Sequence, residues 1–320
     1  MKRRTRDFWS AMGFLLPNLS GFLIFLAGPI VMSFGLAFTN WNVMKTVPLR
    51  FVWFDNFRAI WESADFWSYL VNTGYLMLGM PVSIAGSLCL ALLLNRKIRG
   101  VTAYRTMFYL PQFTAGVALM ILWKALYNPD FGLINQLLRQ IAALFGCDDF
   151  SGPEWLMSTR NLLALAVERV GFSPEQFGVG AREALIIMGI WTAIGGSNML
   201  LYIAALANIP PELGEAAEID GASPWAKFRH ITWPQLAPTT FFIVVMSFIG
   251  GLQGGFDQAR VMTMGGPAGT TTTLTYYIYT KAFEEYRVGY ASAVAWLLFV
   301  IIFAVTLVNW KFGSRRMEDV

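Results

Sequence analysis

The sequence predicts an all-α integral membrane protein with six transmembrane helices and a polar loop between helices 4 and 5. Three observations carry that prediction. Only 14% of the 320 residues are charged and 56% are apolar, whereas a soluble domain carries about 25% charged residues. Six apolar segments, at about 12–37, 69–94, 104–127, 184–207, 236–255 and 288–310, reach the roughly 20 residues needed to cross hydrocarbon. The basic residues cluster at the ends of these segments instead of forming one patch, which argues against a nucleic-acid surface.

The tail 1–11 opens Met1-Lys2-Arg3-Arg4-Thr5-Arg6. It resembles the basic end of a signal peptide, but no small-residue cleavage site follows before Asn40, so the first apolar run reads as an uncleaved span. Pro81 in the second span and Gly250-Gly251 in the fifth predict bends, which packed neighbours make tolerable in a membrane. The third span is flanked by Arg105 and Lys124. Orientation follows from basic residues near span ends. Lys2, Arg3, Arg4 and Arg6 precede the first span, Arg96, Lys97, Arg99 and Arg105 crowd the next short loop, and Lys311, Arg315 and Arg316 follow the last. Both termini and the loop 208–235 are therefore expected in the cytoplasm. The loops 40–68, 128–183 and 256–287 fall on the outer side.

The segment 128–183 is long for a connection and reads as an outer subdomain, with a passive insertion as the alternative. Asn161 to Val170 is apolar but too short to span, and predicts a helix lying on the membrane surface. Ser173-Pro174-Glu175-Gln176 has the form of a capping box.

The loop 208–235 has an internal plan. Ala216 and Ala217 with their Glu neighbours are strong helix formers, and Pro211 suits the first turn. Gly221 falls where a left-handed C-cap is needed. Ser223 then reads as an N-cap with Pro224 at the first helical position. Helix, bend, helix between two spans is a device for receiving a push from a soluble partner.

The chemistry that is missing narrows the field. No span carries an ionisable residue near its middle, which argues against a proton- or sodium-coupled carrier. No Gly-Lys dipeptide occurs, so the chain has no Walker A loop. One histidine (His230, expected on the loop's outer face) and two distant cysteines (Cys89, Cys147) leave no catalytic set, metal site or expected disulfide. Candidates for a translocation path are the polar residues in or near the spans: Asn72, Thr73, Gln112, Thr114, Asn198, Gln253 and Asp257. Each has interhelical hydrogen bonding as its plainer reading. Trp123, Trp191, Tyr202 and Phe256 are candidate sugar-stacking aromatics, with core or interfacial-belt roles as the alternative.

Glu215-Ala216-Ala217, then three residues, Gly221, nine residues, Ile231 and Pro234 resemble the coupling loop of bacterial ATP-binding-cassette importer permeases, the EAA loop. Trp233 stands where that family more often has Leu. Three further stretches resemble the carbohydrate branch, that of the maltose and glycerol-phosphate systems. These are Asn128 to Asn135; Phe256-Asp257 leading through Met264-Gly265-Gly266-Pro267 and Thr270–Thr273 to Tyr279; and Ala282-Phe283 with Arg287 to Ala293. The likeness covers nearly the whole chain apart from 145–182, and implies a single permease domain over 1–320.

That resemblance implies transport by alternating access, the chain being the first of two non-identical permeases. The other partners would be two ATPase subunits, which hold ATP and magnesium, and an extracytoplasmic sugar-binding protein. This chain would bind no cofactor, only membrane lipid and these proteins, and would not itself be an enzyme. Glu215, Ala216, Ala217, Asp220, Gly221, Ala222, Ile231 and Pro234 would meet the ATPase. A polyol or glycerol-phosphate-like solute, and less closely an ion-coupled secondary transporter, are the competing readings.

Overall fold

The computed structural model describes residues 2–44, 47–96, 99–114, 116–147, 149–163 and 177–317, with side chains from Phe8 to Lys311. The expected capping box at 173–176 and most of the expected surface helix at 161–170 lie outside the described residues. Among the described residues the only extended pairings are single bridges, Thr39 with Phe51 and Asn161 with Phe177.

Among the described residues five helices are long and apolar enough to cross a membrane: Phe8–Leu36, Ala64–Leu94, Ala181–Ala207, Pro224–Thr263 and Val288–Lys311. They correspond to the first, second, fourth, fifth and sixth predicted spans. The third span, expected as one helix over 104–127, is instead a pair, Val101–Phe113 and Gly116–Leu126, bent by 93°. Pro111 contributes no N–H to the last turn of the first member, and Thr114 leaves the helix at ψ 129°.

The fourth span is interrupted too. Gly195 and Gly196 separate Ala181–Ile194 from Ser197–Ala207. A Cβ on Gly195 would lie 2.0 Å from the Phe108 carbonyl oxygen, so only glycine permits this approach. The Gln112 side chain closes the break: its Oε1 accepts from Ser197 N at 3.0 Å, and its Nε2 donates to Ser197 Oγ at 3.2 Å.

Two further expectations about bends resolve differently. A 3-10 turn, Met77–Gly79, precedes Pro81 inside the second span. Gly250-Gly251 do not break the α-helix, which runs from Trp233 to Gln253. The missing side chain of Gly251 makes room for Met77, whose atoms lie 3.0–3.3 Å from where a Cβ would stand. Gly251 thus serves close packing, while nothing lies within 4 Å of where a Cβ on Gly250 would stand.

The chain divides into two compact units. In the unit formed by residues 1–66 and 277–300, the Asn56 amide donates to Ala37 O and Thr39 O, at 2.8 and 2.9 Å. Gly289 sits against the Thr39 carbonyl, where a Cβ would stand 2.1 Å away. Its N–H donates to Trp41 O, and the Tyr290 and Tyr277 hydroxyls are 3.0 Å apart. The Arg287–Ala293 motif is thus a docking point for residues 37–43. Burial of the Tyr277 phenol, with the Tyr290 hydroxyl beside it, pushes its pKa above the ordinary range.

Among the described residues of the unit formed by 67–276 and 301–320, two apolar clusters stand out. One gathers Leu119, Met120, Trp123, Tyr127, Trp155 and Met188 with their neighbours. The other gathers Leu88, Leu94, Met199, Tyr202, Leu236 and Ile243. The Asn128–Asn135 motif shapes the turn beside the first. Asn128 Oδ1 accepts from Asp130 N and Phe131 N, closing a side-chain turn. Gly132 then starts the helix Leu133–Leu144. A Cβ on Gly132 would lie 2.4 Å from both the Asn128 and Leu126 carbonyl oxygens. Gly132→Ala is therefore expected to cost about 1–3 kcal/mol through overpacking, read as a lower unfolding temperature of the purified chain in detergent. An unchanged temperature would show that this turn has slack.

Candidate functional site

The loop between the fourth and fifth spans has the predicted form. The helix Pro211–Ile219 begins on Pro211. Its end is capped by Gly221 at φ +74°, with Gly221 N donating to Glu218 O and Ala222 N to Ala217 O. These are the reversed bonds that satisfy the last carbonyls of a helix. Ser223 Oγ accepts from Ala226 N at 3.2 Å, and Pro224 opens the next helix. That helix passes through a π turn, Phe228–Thr232, straight into Trp233–Gln253. Glu218 and Lys227 pair across the bend at 2.5 Å.

The hydrogen bond from Lys227 holds the Glu218 carboxyl below the usual carboxylate range. The pair is therefore intact at neutral pH and is lost only as pH falls through that lowered value.

The face this loop presents is apolar as well as polar. Ile219 is 87% exposed and Trp225 67%, and Glu215, Ala216 and Asp220 are exposed beside them. Ala217 and Ala222 are half-buried. Ile231 and Pro234 are half-buried on the second helix, and Ile231 lines a small hollow with Gly214 and Lys227. His230 is exposed, with its ring nitrogen 3.0 Å from Ala226 O.

Between the second, fourth and fifth spans lies a cavity of about 330 Å³. Its polar lining comes from Thr73, Ser83, Asn198, Ser247, Gln258 and Thr273, and the rest is mostly glycine and aliphatic. A neighbouring cavity of about 390 Å³ shares Asn198 and Gln258 and adds Gln112 and Thr114. No charged side chain lines either one.

Gln253, Asp257 and Asn72 are placed differently, and Thr73 has a second role besides lining the cavity. Gln253 and Asp257 are exposed and line neither cavity. Asn72 is buried, with its amide donating to Gly269 O and Thr272 O. Thr73 Oγ1 accepts from Leu274 N at 3.0 Å. Both hold the segment 264–274 onto the second span. The Thr run completes that segment: Thr270, Thr271 and Thr272 hydroxyls donate to Pro267 O, Gly266 O and Gly265 O. Of the aromatic candidates, Trp123 and Tyr202 are core residues, and Trp191 is half-exposed against Trp123.

A buried charged knot beside these residues escaped the sequence reading. Arg182 donates through Nη2 to Asn72 Oδ1 at 2.8 Å and through Nε to Thr270 O at 3.0 Å. Its guanidinium lies 5.2 Å from the centre of the Tyr75 ring. Glu183 accepts from the Tyr75 hydroxyl, from Leu162 N at 3.0 Å and from Gly180 N at 3.1 Å. Gln258 was also missed, since it lies in a loop by hydropathy and carries no motif. Among the described residues no His, Cys, Asp and Glu group is arranged to hold a metal, and both cysteines are free.

Apolar spans, broken helices around an uncharged polar cavity and a protruding two-helix loop define an all-helical membrane protein of the transporter class. Residues 83–315 match the family model described as the binding-protein-dependent transport system inner membrane component, and the chain belongs to that family. It is 32% identical to the probable ABC transporter permease protein YesP of Bacillus subtilis, over 97% of this chain and 92% of that one. It is 31% identical to the lactose transport system permease protein LacF of Rhizobium radiobacter, over 95% and 93%. Its fold is similar to a chain of the bacterial alginate ABC transporter, solved with an alginate pentasaccharide-bound periplasmic protein. There the TM-score is 0.77 at 26% identity, covering 99% of this chain and 97% of that one.

Proposed function

We propose that this chain is a permease subunit of an ATP-driven, binding-protein-dependent importer of a sugar or oligosaccharide. It works with a second permease, two ATPase subunits that carry ATP and magnesium, and an extracytoplasmic sugar-binding protein. The observation that carries this reading is the loop from Glu215 to Pro234. Two helices meet at a left-handed Gly221, with Ile219 and Trp225 exposed at the bend. Apolar side chains held out on an otherwise polar loop fit a groove on a soluble partner. In this reading the termini and the loop face the cytoplasm, ATPase closure moves the loop, and the spans open outward in turn.

The substrate class rests on the cavities and the relatives. Relatives named for lactose and for starch degradation products cover nearly the whole chain. The uncharged lining of Asn198, Gln258, Ser83 and Ser247 suits hydroxyl groups and offers no cation to a phosphate. Asn198→Leu with Gln258→Leu is expected to lower uptake about tenfold or more, the scale of two lost hydrogen bonds, without lowering the amount of chain in the membrane. Normal uptake by that double variant would remove these residues from the path.

The first experiment is a mild-detergent purification of the tagged chain from its native membrane, read by mass spectrometry. Recovery of an ATPase, a second six-span permease and a binding protein supports the importer, and screening that binding protein against sugars gives the solute. A chain recovered alone would overturn the ATPase docking.

A further inference from the structure

We propose that the helix Leu133–Leu144 lies in the bilayer interface, with its apolar edge inserted among the lipids. Leu133, Leu137, Ile141 and Leu144 are all exposed, Leu137 at 58% and Leu144 at 85%. At about 100° per residue they share an arc of roughly 80°. A second side faces the protein: Ile134 and Leu138 pack on the core of Trp123, Tyr127 and Trp155. A third side is polar and exposed, carrying Gln136 and Gln140.

Protein, lipid and water thus each have their own side of the helix, which is the arrangement an interfacial helix requires. The lipid edge is free of charge. The helix's only charged side chain, Arg139, is drawn elsewhere, donating to Asp130 O at 3.1 Å and to Asn135 O at 3.3 Å.

Placement and rigidity support the same occupant. The helix begins a few residues beyond Leu126, where the third apolar pair ends, and so short a connection keeps it near the end of that apolar pair. It cannot roll to hide the stripe. Asn135 is buried, donates to Pro129 O and Pro153 O, and accepts from Trp155 Nε1 at 2.6 Å. Four large aliphatic side chains held in water would be unfavourable, and lipid removes their apolar surface from it.

The test uses the full chain, co-purified with its accompanying subunits and placed in vesicles of phosphatidylethanolamine and phosphatidylglycerol. With Cys89 and Cys147 replaced by serine, single nitroxide labels are introduced through Leu137→Cys, Ile141→Cys, Gln136→Cys or Gln140→Cys. Relaxation by oxygen, which concentrates in lipid, is compared with relaxation by a water-soluble nickel chelate. Oxygen is expected to dominate at 137 and 141, at a depth of about 5–10 Å, and the nickel chelate at 136 and 140. Nickel dominance at 137 and 141 would place the stripe in water and overturn the proposal. Protection from both reagents there would overturn it in favour of a protein cover, from the second permease or the binding protein.

Discussion

Gly221→Pro is expected to leave the chain inserted in the membrane while abolishing solute uptake and its coupling to ATP hydrolysis. Gly221 stands at φ +74°, and its N–H donates to Glu218 O. Proline fixes φ near −65° and has no N–H, so the bend cannot form as it stands, at a local cost of roughly 3 kcal/mol or more. The change is confined to an exposed turn in which no apolar core residue takes part. Assembly of the spans should therefore survive, and only the angle between the two short helices changes. The measurement is uptake of labelled solute beside ATPase activity in the same vesicles. Uptake at the parent rate would sink the assignment of this loop as the site where ATPase motion enters.

Glu183→Ala is expected to produce the largest loss of stability. The carboxylate is 4% exposed and accepts from the Tyr75 hydroxyl, Leu162 N and Gly180 N. Alanine takes this acceptor from two buried donors, the Tyr75 hydroxyl and Gly180 N–H, at about 1–3 kcal/mol each, and from the partly buried Leu162 N–H. It also removes a negative charge close to buried Arg182, and breaking a buried charged network costs about 3–5 kcal/mol. The unfolding temperature in detergent should fall steeply, and Glu183→Gln, which keeps an acceptor oxygen, should fall less. Equal temperatures for all three proteins would show that the knot is dispensable.

Five of the six spans and the helix–bend–helix form of the loop 208–235 are legible in the sequence, for identifiable reasons. Helix-forming alanines, a glycine forced to positive φ, and Ser-Pro at a helix start each act within a few residues, and all three features stand in the structure as expected. Apolar runs of spanning length are equally local. What could not be read depends on partners far along the chain. The break at Gly195-Gly196 exists because Phe108 crowds it and Gln112 bonds across it. The burial of Arg182 and Glu183 depends on Asn72, Tyr75 and the carbonyl of Thr270. Asn72 and Gln112 looked alike in sequence, as lone amides in apolar runs. One tethers a loop and the other braces a broken helix beside a cavity.

From Pro224 to Gln253 the backbone stays helical without a gap, a rod of about 45 Å at 1.5 Å per residue. It starts at the bend of the loop 208–235 and stops at Gly254-Gly255, both of which line the internal cavity, with Gly255 at φ +83°. Continuous helical backbone is what could carry a shift at Trp225 to the cavity wall, with the π turn at Phe228–Thr232 and Pro238 as the two places along it where a helix bends. Gly254-Gly255 then form the break in regular helix that lies nearest Gln258. A stiffer residue at that break would alter the timing of transport before it altered the affinity for what is carried.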